Sequence, residues 1–242
     1  MANDILIANR DLAAKLREFH ELPILHEDDP EFEMGEANLH SLAEHILRYG
    51  IAAHLVRRPE FRVFSNLNLH YQPKFPSVYI SPDVMAVRPL DPKREDVTAY
   101  FIGRDGPAPL FVSEVLSERT AAEGDLGEKL WIYAMIGVEE YVLVDLLGKF
   151  LPQRLLLKRL QPDRTWRDEQ DADEGVTSCL GFRVIIDHDG RLRVVNAATG
   201  KPYVRPDEAD QRIRALEAEL NRLKGTRRAP PNQKRTGRKK KS

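Results

Sequence analysis

Two acidic side chains fall on stretches of the chain that alternate apolar and polar residues in the manner of β-strands. In residues 110–116, Glu114 shares a strand face with Val112, so its carboxylate is expected in an apolar row. Asp83 has a similar place in residues 78–87. A buried carboxylate is costly unless a cation accompanies it, and hard cations such as magnesium bind carboxylate oxygens. The pair therefore predicts a divalent-metal site, although the spacing also allows each to be a surface or capped carboxylate on an edge strand.

The surrounding pattern predicts the elements that must position these carboxylates. Apolar residues at steps of three and four predict helices over residues 36–55 and 121–136. Residues 140–147 are apolar on both faces, as in a strand that is covered on both sides. A strand, a helix and a buried strand with short joints imply a right-handed parallel crossover. We therefore expect an α/β fold around a mixed central β-sheet, with the first long helix also packed on it.

Four blocks of sequence, in this order, resemble the Uma family of endonuclease-like proteins, within the PD-(D/E)XK restriction-endonuclease-like superfamily. They are SPDV (81–84), FVSEVLS (111–117), GEKLWIYA (127–134) and GVEEYVLVD (137–145). The resemblance spans roughly residues 30–200. It implies a restriction-endonuclease-like mixed central sheet flanked by helices and hydrolysis of DNA phosphodiester bonds. The implied cofactor is Mg2+, with Mn2+ as the alternative ion.

The resemblance also assigns residues to the implied site. Asp83 matches the aspartate of the PD element, and Glu114 matches the acidic residue of the next strand. Both are predicted to be catalytic and to bind the metal together with the Val115 carbonyl. Glu36 resembles the acidic residue at the head of the family's first long helix, and His40 lies one turn later. These two are predicted accessory residues, for the metal shell and for proton transfer, and a polar helix flank is the alternative interpretation.

The catalytic lysine departs from the superfamily pattern. That pattern puts a lysine two residues after the acidic residue Glu114, where this chain has Leu116. Lys129, in the following helix, matches the lysine of the family, and its four-carbon stem allows it to reach Glu114. We predict that it orients the attacking water or stabilises charge on the phosphate. The alternative is a solvated helix residue paired with Asp125.

The net charge of −1 conceals an acidic body and a basic C-terminal tail. Residues 225–242 contain eight basic and no acidic side chains, which leaves 29 of the 37 basic residues against 38 acidic ones, a net of −9, in residues 1–224. A segment of this composition is expected to be disordered and to bind a polyanion such as DNA. A solubilising tail, or one that folds onto the acidic body, is equally compatible. The predicted nucleic-acid-binding residues are Arg227, Arg228, Lys234, Arg235, Arg238, Lys239, Lys240 and Lys241.

Residues 207–224 carry a short heptad pattern. Ile213 and Leu220 occupy a positions, and Leu216 and Leu223 occupy d positions. This pattern predicts a homodimer through a short coiled coil whose flanking charges fit both parallel and antiparallel pairing. The alternative is an apolar stripe that folds back onto its own domain.

Composition excludes several classes of protein. A chain with 42% hydrophobic and 31% charged residues is typical of a globular protein rather than a fibrous or wholly disordered one. No run of residues approaches the roughly 18 apolar positions of a membrane span, and the first residues lack the core of a signal peptide. We therefore expect a cytoplasmic protein without membrane association. The single cysteine, Cys179, excludes an intrachain disulfide and is either a nucleophile or a small filler.

We predict four segments along the chain. An N-terminal helix and acidic loop (1–35) precede a restriction-endonuclease-like domain (36–200), a heptad helix (201–224) and a disordered basic tail (225–242). The predicted function is a magnesium-dependent endodeoxyribonuclease. The alternative is a catalytically inactive nucleic-acid-binding or coiled-coil interaction protein on the same fold, which the acidic body favours because a nuclease must present positive charge to phosphate.

Overall fold

The computed structural model describes the backbone of residues 34–72, 74–75, 77–117 and 121–226. The predicted N-terminal helix and acidic loop, apart from their last two residues, and residues 227–242 of the tail lie outside the described residues. The chain divides into two compact units, residues 1–39 and 40–242. Apart from the first residues of the first helix, the elements described below belong to the second unit. No helix of the described ranges is long and apolar enough to cross a membrane.

Short strands and longer helices alternate along the described part of the chain. In chain order they are α1 (Met34–Leu55), β1 (Arg62–Ser65), β2 (Leu69–His70), β3 (Tyr79–Ile80), β4 (Val84–Val87), β5 (Tyr100–Phe101), β6 (Phe111–Val115), a π-helical segment (Ala121–Glu128), α2 (Lys129–Ile136), β7 (Glu140–Val144), β8 (Leu155–Leu160), β9 (Trp166–Glu169), β10 (Val176–Thr177), β11 (Phe182–Ile186), β12 (Leu192–Asn196), a 3-10 turn (Pro206–Glu208) and α3 (Ala209–Thr226).

The largest sheet has six strands in the order β1-β4-β6-β7-β8-β9. Strands β6 and β7 are parallel, and the other neighbouring pairs are antiparallel. The parallel pair confirms the crossover predicted from the sequence, because the π-helical segment and α2 connect these two strands. The sheet is therefore mixed, as predicted, and two three-stranded sheets, β10-β11-β12 and β3-β2-β5, accompany it.

Helices α1 and α2 pack against opposite faces of the large sheet. Leu47 and Ile51 of α1 lie in one apolar cluster with Val84 of β4. Tyr133 of α2 lies in a second cluster with Met85 of the same strand. Successive side chains of a strand point to opposite faces, so β4 is buried on both. This arrangement confirms that the first long helix packs on the sheet.

A glycine in α1 allows the helix to approach β12 closely. A Cβ at Gly50 would lie 2.6 Å from the Cβ of Val194, well inside the contact distance of two carbon atoms. Glycine in a helix interior weakens the helix by about 1 kcal/mol relative to alanine. The cost is offset here by a close contact between α1 and the β10-β11-β12 sheet.

The predicted strand over residues 78–87 is in fact two strands in different sheets. Pro82 and Asp83 lie in the break between β3 and β4, where proline lacks the amide hydrogen that a ladder requires. A second interruption separates β1 from β2 at Asn66, which has a φ of 49° and donates its N–H to the Pro82 carbonyl at 3.1 Å. Both interruptions lie next to the predicted site.

Three further departures concern element type and length. The predicted helix over residues 121–136 is π-helical in its first half and α-helical from Lys129. It ends at Gly137, as predicted, with a φ of 86° that favours glycine. The strand predicted over residues 140–147 stops at Val144. Strands β5, β9 and β10 were not predicted, because two are only two residues long and β9 is mostly charged.

Helix α3 exposes the apolar stripe predicted from its heptad pattern. Ile213, Leu216, Leu220 and Leu223 are each 50–55% exposed. The interpretation that this stripe folds back onto its own domain is therefore wrong for the described residues. The base of α3 is held by Arg193 of β12, whose guanidinium makes two hydrogen bonds to the Glu208 carboxylate, at 2.6 and 2.7 Å.

Candidate active site

Asp83 and Glu114 lie next to each other on the face of the large sheet that α2 covers. Val84 pairs with Ser113 in the antiparallel ladder of β4 and β6, so Asp83 and Glu114 are the next residues along the two strands. Glu114 is 1% exposed. The backbone N–H of Asp83 lies next to the Glu114 carboxylate, with 3.4 Å between Asp83 N and Glu114 Oε2. The sequence pattern correctly predicted an acidic side chain in an apolar row.

The backbone of Val115 faces the same position. Its N–H donates a hydrogen bond to Asp83 Oδ2 at 2.7 Å, at the point where Pro82 has ended the ladder between β4 and β6. In a β-strand the N–H and C=O of one residue point to the same side. The Val115 carbonyl is therefore directed towards Asp83, on the side of the strand where the metal was predicted.

Lys129 reaches this site from the first turn of α2. Its Nζ lies 2.9 Å from Glu114 Oε2 and 2.9 Å from Asp125 Oδ1, so the lysine reaches Glu114 and also pairs with Asp125. Its side chain is 21% exposed, so it is not the solvated helix residue of the alternative interpretation. Tyr133, one turn further along, donates its hydroxyl to Glu114 Oε1 at 2.6 Å. The Tyr141 hydroxyl donates to the Asp125 carbonyl at 2.9 Å and so ties the π-helical segment to β7.

Burial and charge perturb the titration of this cluster. Burial, and then the charge of Asp83, raises the pKa of Glu114 to about 8. Burial lowers the pKa of Lys129, but the charges of Glu114 and Asp125 outweigh it and raise the value to about 12. Burial also raises the pKa of Tyr133 well above its ordinary value, so the phenol keeps its proton. Lys129 is therefore a permanent cation between carboxylates that repel one another.

His40 adds a further group on the side of α1. Its Nε2 lies 3.4 Å from Asp83 Oδ2, and this interaction raises the pKa of the imidazole above its ordinary value despite partial burial. Glu44, one turn later, is buried and accepts a hydrogen bond from Asn66 Nδ2 at 2.8 Å. The backbone of Glu36 is in α1 as predicted, but its side chain lies outside the described residues.

Comparison with known proteins identifies the family. The profile of the Uma2 family, described as "Putative restriction endonuclease", matches residues 16–186, which is most of the chain. The chain belongs to the Uma2 family. This confirms the resemblance found in the sequence and supports a nuclease function, with nucleic acid as the substrate. The predicted fold class is also confirmed, because the structure has a central mixed sheet with helices on both faces.

A solved structure is among the proteins similar to this chain. It is the crystal structure of a "putative nuclease belonging to DUF820" from Anabaena variabilis, with 16% sequence identity and a TM-score of 0.42, covering 67% of this chain and 88% of that chain. No protein with a curated description matches this chain.

The donor atoms of this Uma2 site suit a magnesium ion. No group of three or more His, Cys, Asp and Glu side chains within the described ranges has metal-binding spacing. Magnesium, however, keeps several waters and is commonly bound by one or two carboxylates. Asp83 and Glu114 supply hard oxygen ligands, and a divalent cation would offset both the burial of Glu114 and the charge of Asp83, the two largest causes of its raised pKa. The residues present therefore fit this ion.

Two residues of the Uma2 site were not predicted as functional. The sequence indicates Asp125 only as a partner for Lys129, and Tyr133 only as a core aromatic residue with its hydroxyl at the rim. Both are buried and contact the Glu114–Lys129 pair. A signal was present in the sequence, because Asp125, Lys129 and Tyr133 recur every four residues and so share one helix face.

Other predicted features lie away from this site or outside the described residues. Asp145 is a turn cap, since its buried carboxylate accepts N–H hydrogen bonds from Phe150 and Leu151 at 2.6 and 2.9 Å. Burial, and then the charge of Glu140, raises the pKa of the Cys179 thiol to about 11, which argues against a nucleophile. The eight basic residues of the predicted nucleic-acid-binding tail all lie outside the described residues.

Proposed function

We propose that this protein is a magnesium-dependent endonuclease that hydrolyses phosphodiester bonds of DNA, with Mn2+ as an alternative ion. The observation that carries this proposal is the meeting of Asp83, Glu114 and Lys129 at the break between β3 and β4. Two carboxylates and a lysine at one position are suited to hydrolysis of a phosphodiester. Family membership supports the same class of reaction.

Each residue has a distinct part in this proposal. The Asp83 and Glu114 carboxylates and the Val115 carbonyl hold the ion. The chemistry that bound magnesium supplies is polarisation of a phosphate oxygen and acidification of a coordinated water. The Lys129 ammonium orients the attacking water and stabilises the negative charge that develops on the phosphate oxygens.

Tyr133, Asp125 and His40 are positioning residues. The Tyr133 hydroxyl holds one oxygen of Glu114, and Asp125 holds the ammonium of Lys129. His40 holds Asp83 from the side of α1. Glu36 remains a predicted accessory ligand.

One observation favours the alternative of an inactive protein on the same fold. Tyr133 and Lys129 already contact both oxygens of Glu114, so a cation must compete with Lys129 for Oε2. If no cation binds at this site, the protein would be catalytically inactive and would act as a nucleic-acid-binding or coiled-coil interaction protein. Measurement of magnesium binding by calorimetry separates the two functions, because only the nuclease requires it.

The test of activity is incubation of supercoiled plasmid and of short duplexes with the protein and Mg2+ or Mn2+. We expect the wild type to nick or cleave DNA, and we expect Asp83→Ala and Glu114→Gln to lose that activity. Glu95→Gln is the matched control, because it makes the same change at an exposed position. Metal-independent cleavage, or full activity in Asp83→Ala, would contradict the proposal.

We also propose that two copies of the chain pair through α3. In a parallel pair, Arg212 meets Glu217 of the second copy and Glu219 meets Lys224, so both flanking contacts are attractive. Sedimentation should show a wild-type dimer and a monomer for the double variant Leu216→Glu, Leu220→Glu. Ala218→Glu adds charge outside the seam and should remain dimeric. A wild type that is monomeric at tens of micromolar would exclude this contact.

The tail and the cellular location remain predictions from the sequence. The eight positive charges of the tail should add DNA affinity that falls steeply with salt. Truncation after Lys224 should therefore weaken binding at low ionic strength and flatten its salt dependence. An equal affinity and an equal salt slope for the truncated chain would assign the tail another role. The cytoplasmic location is likewise a prediction.

A further inference from the structure

The small sheet β3-β2-β5 has one buried face and one aromatic face. Its buried face carries Leu69 and Tyr100, which belong to the same apolar cluster as Tyr133. Its outer face carries Tyr79, His70 and Phe101, because His70 of the middle strand pairs with Tyr79 of β3 and with Phe101 of β5. Side chains of paired residues lie on the same face of a sheet, so the three rings form one row across the strands. We call this the aromatic row.

The rings of the aromatic row contact one another closely. The centroids of His70 and Phe101 are 4.1 Å apart with an interplanar angle of 5°, and those of His70 and Tyr79 are 5.2 Å apart. The guanidinium carbon of Arg104 lies 3.6 Å from the centroid of Phe101, at the far end of the row. Tyr79, at the near end, is 48% exposed. The row therefore ends in an exposed ring at one side and an exposed cation at the other.

Core packing does not account for this composition. A sheet that is covered on one side normally presents polar side chains to water on its other side. Here that side presents three aromatic rings, and the buried Nδ1 of His70 has no hydrogen-bond partner within the described residues. Asp105 orients Arg104 through hydrogen bonds of 3.0 and 2.8 Å to Nε and Nη2. An exposed ring, Tyr79, in the same row as a fixed arginine is suited to stacking and to phosphate contact.

The aromatic row is connected directly to the candidate active site. Tyr79 precedes Asp83 by four residues, so their Cα atoms are at most about 14 Å apart. Ser81, between them, donates its hydroxyl to Asn68 Oδ1 at 2.7 Å and so ties this connection to the segment that leads into β2. Successive nucleotides of one strand rise about 3.4 Å along a duplex. A strand held at Asp83 would therefore reach Tyr79 within about four nucleotides.

We propose that the aromatic row is a stacking platform for an unpaired base of the nucleic-acid substrate, with Tyr79 as the ring that contacts the base. This inference rests on the proposed nuclease function and adds to it a preference for single-stranded or locally opened substrate near the cleaved phosphate. Every base has a π-face, so this contact is tolerant of sequence. The exposed Arg104 is the group that would contact the strand's phosphate.

The test is binding of a single-stranded oligothymidine and of a blunt duplex by the full chain without divalent metal, measured by fluorescence anisotropy. Stacking of one base on an aromatic ring contributes about 1–3 kcal/mol, so Tyr79→Ala should weaken single-strand binding about 10-fold. The same variant should change duplex affinity less than about 2-fold. Tyr79→Phe retains the ring and should bind the single strand as the wild type does.

Tyr49→Ala is the matched control. Tyr49 is 51% exposed on α1 and also stacks on a histidine, His45, but it lies outside the aromatic row. We expect single-strand affinity to be unchanged in this variant. Unchanged affinity in Tyr79→Ala, an equal loss in Tyr49→Ala, or an equal loss in Tyr79→Phe would each overturn the stacking platform.

Cleavage assays on the same proteins separate this inference from the proposed function. Selective loss of single-strand affinity in Tyr79→Ala, with no cleavage by the wild type, supports the platform and contradicts the nuclease. Metal-dependent cleavage by the wild type, with no single-strand binding, supports the nuclease and overturns the platform. A base analogue such as 2-aminopurine should be quenched on binding to the wild type and to Tyr79→Phe, but not to Tyr79→Ala.

Discussion

Neighbouring strands β6 and β7 each carry a buried glutamate, and the two are held in different ways. Glu140 is fully buried, and its carboxylate accepts hydrogen bonds from the Arg159 guanidinium, the Ser178 hydroxyl and the Cys179 N–H. Glu114 contacts Lys129 and Tyr133, but it also lies against Asp83. Among the described residues, the Glu140 carboxylate contacts hydrogen-bond donors, whereas the Glu114 carboxylate contacts donors and also feels the negative charge of the Asp83 carboxylate.

This difference separates a structural carboxylate from a candidate functional one. Burial of a charge is tolerated when a cation and hydrogen bonds compensate it, and Glu140 meets that condition. Around Glu114 the compensation is incomplete, because Lys129 is shared with Asp125 and because Asp83 adds a like charge. Perturbed carboxylates in such surroundings concentrate at functional sites. The comparison therefore predicts opposite responses to loss of the two carboxylates.

The largest expected effect is on catalysis. Glu114→Gln keeps the shape of the side chain but removes the charge that would bind the metal, so we expect metal-dependent cleavage to fall by about 10³-fold or more. Glu140→Gln should cleave at the wild-type rate per folded molecule. Initial rates on plasmid, normalised to the folded fraction from circular dichroism, give both values. A similar loss of cleavage rate in the two variants would show that Glu114 and Glu140 do not differ in function.

The second effect is on stability, and here the substitution of Glu140 has a larger effect than that of Glu114. Glu140→Ala leaves Arg159 without its buried partner, and breaking a buried ion pair costs about 3–5 kcal/mol. Arg159 also contacts Glu169, so we expect the lower end of that range. Glu114→Gln should cost no stability at neutral pH without metal, because the pKa of the wild-type carboxyl is raised to about 8 and its contribution to stability already falls as the pH rises above 4.5. Urea unfolding followed by fluorescence measures both free energies, and equal losses would show that Glu114 is also a structural carboxylate.

The third effect is a pH dependence in the absence of metal. The pKa of Glu114 is about 8 in the folded chain against an ordinary 4.5, so the folded state binds the extra proton. Stability from this group is therefore complete below pH 4.5 and falls as the pH rises towards 8. Glu114→Gln should be more stable than the wild type by about 2 kcal/mol at pH 9 and indistinguishable below pH 5. Magnesium should abolish the difference by stabilising the wild type alone, as thermal unfolding scans would show.

The smallest effect concerns a partly buried ion pair, Arg193 and Glu208, and tests whether the depth of burial is the deciding factor. Arg193 lowers the pKa of Glu208 to about 2 from an ordinary 4.5. The stability that this pair contributes is therefore present above pH 4.5 and is lost as the pH falls towards 2. Solvent screening limits it to about 1 kcal/mol.

Glu208→Gln should lower the melting temperature at pH 7 and have no effect near pH 2. Asp96→Asn breaks the exposed pair with Arg94, outside the proposed dimer contact, and should have no measurable effect at either pH. A loss of stability in Glu208→Gln as large as that in Glu140→Ala would show that contact with solvent does not weaken these ion pairs.

Much of the fold and part of the site could be predicted from the sequence. Strand alternation placed Glu114 in an apolar row, and helical periodicity placed Lys129 on the flank of a sheet-facing stripe. These patterns are local, because side-chain direction follows from backbone geometry within a few residues. The Uma resemblance could also be found from the sequence, because its four blocks are contiguous stretches of residues. The match of the family model to residues 16–186 confirmed it.

The tertiary structure alone decided which groups meet and which charges remain uncompensated. Local pattern does not show that Pro82 ends a ladder so that Asp83 accepts the Val115 N–H, or that Tyr133 turns its hydroxyl to Glu114. It also does not separate Glu114 from Glu140, which are both acidic residues in buried strands. Their partners come from segments far away in the chain, Asp83 in one case and Arg159 with Ser178 in the other. The pKa of a carboxylate depends on those neighbours, and they are brought together only when the sheet and its helices have packed.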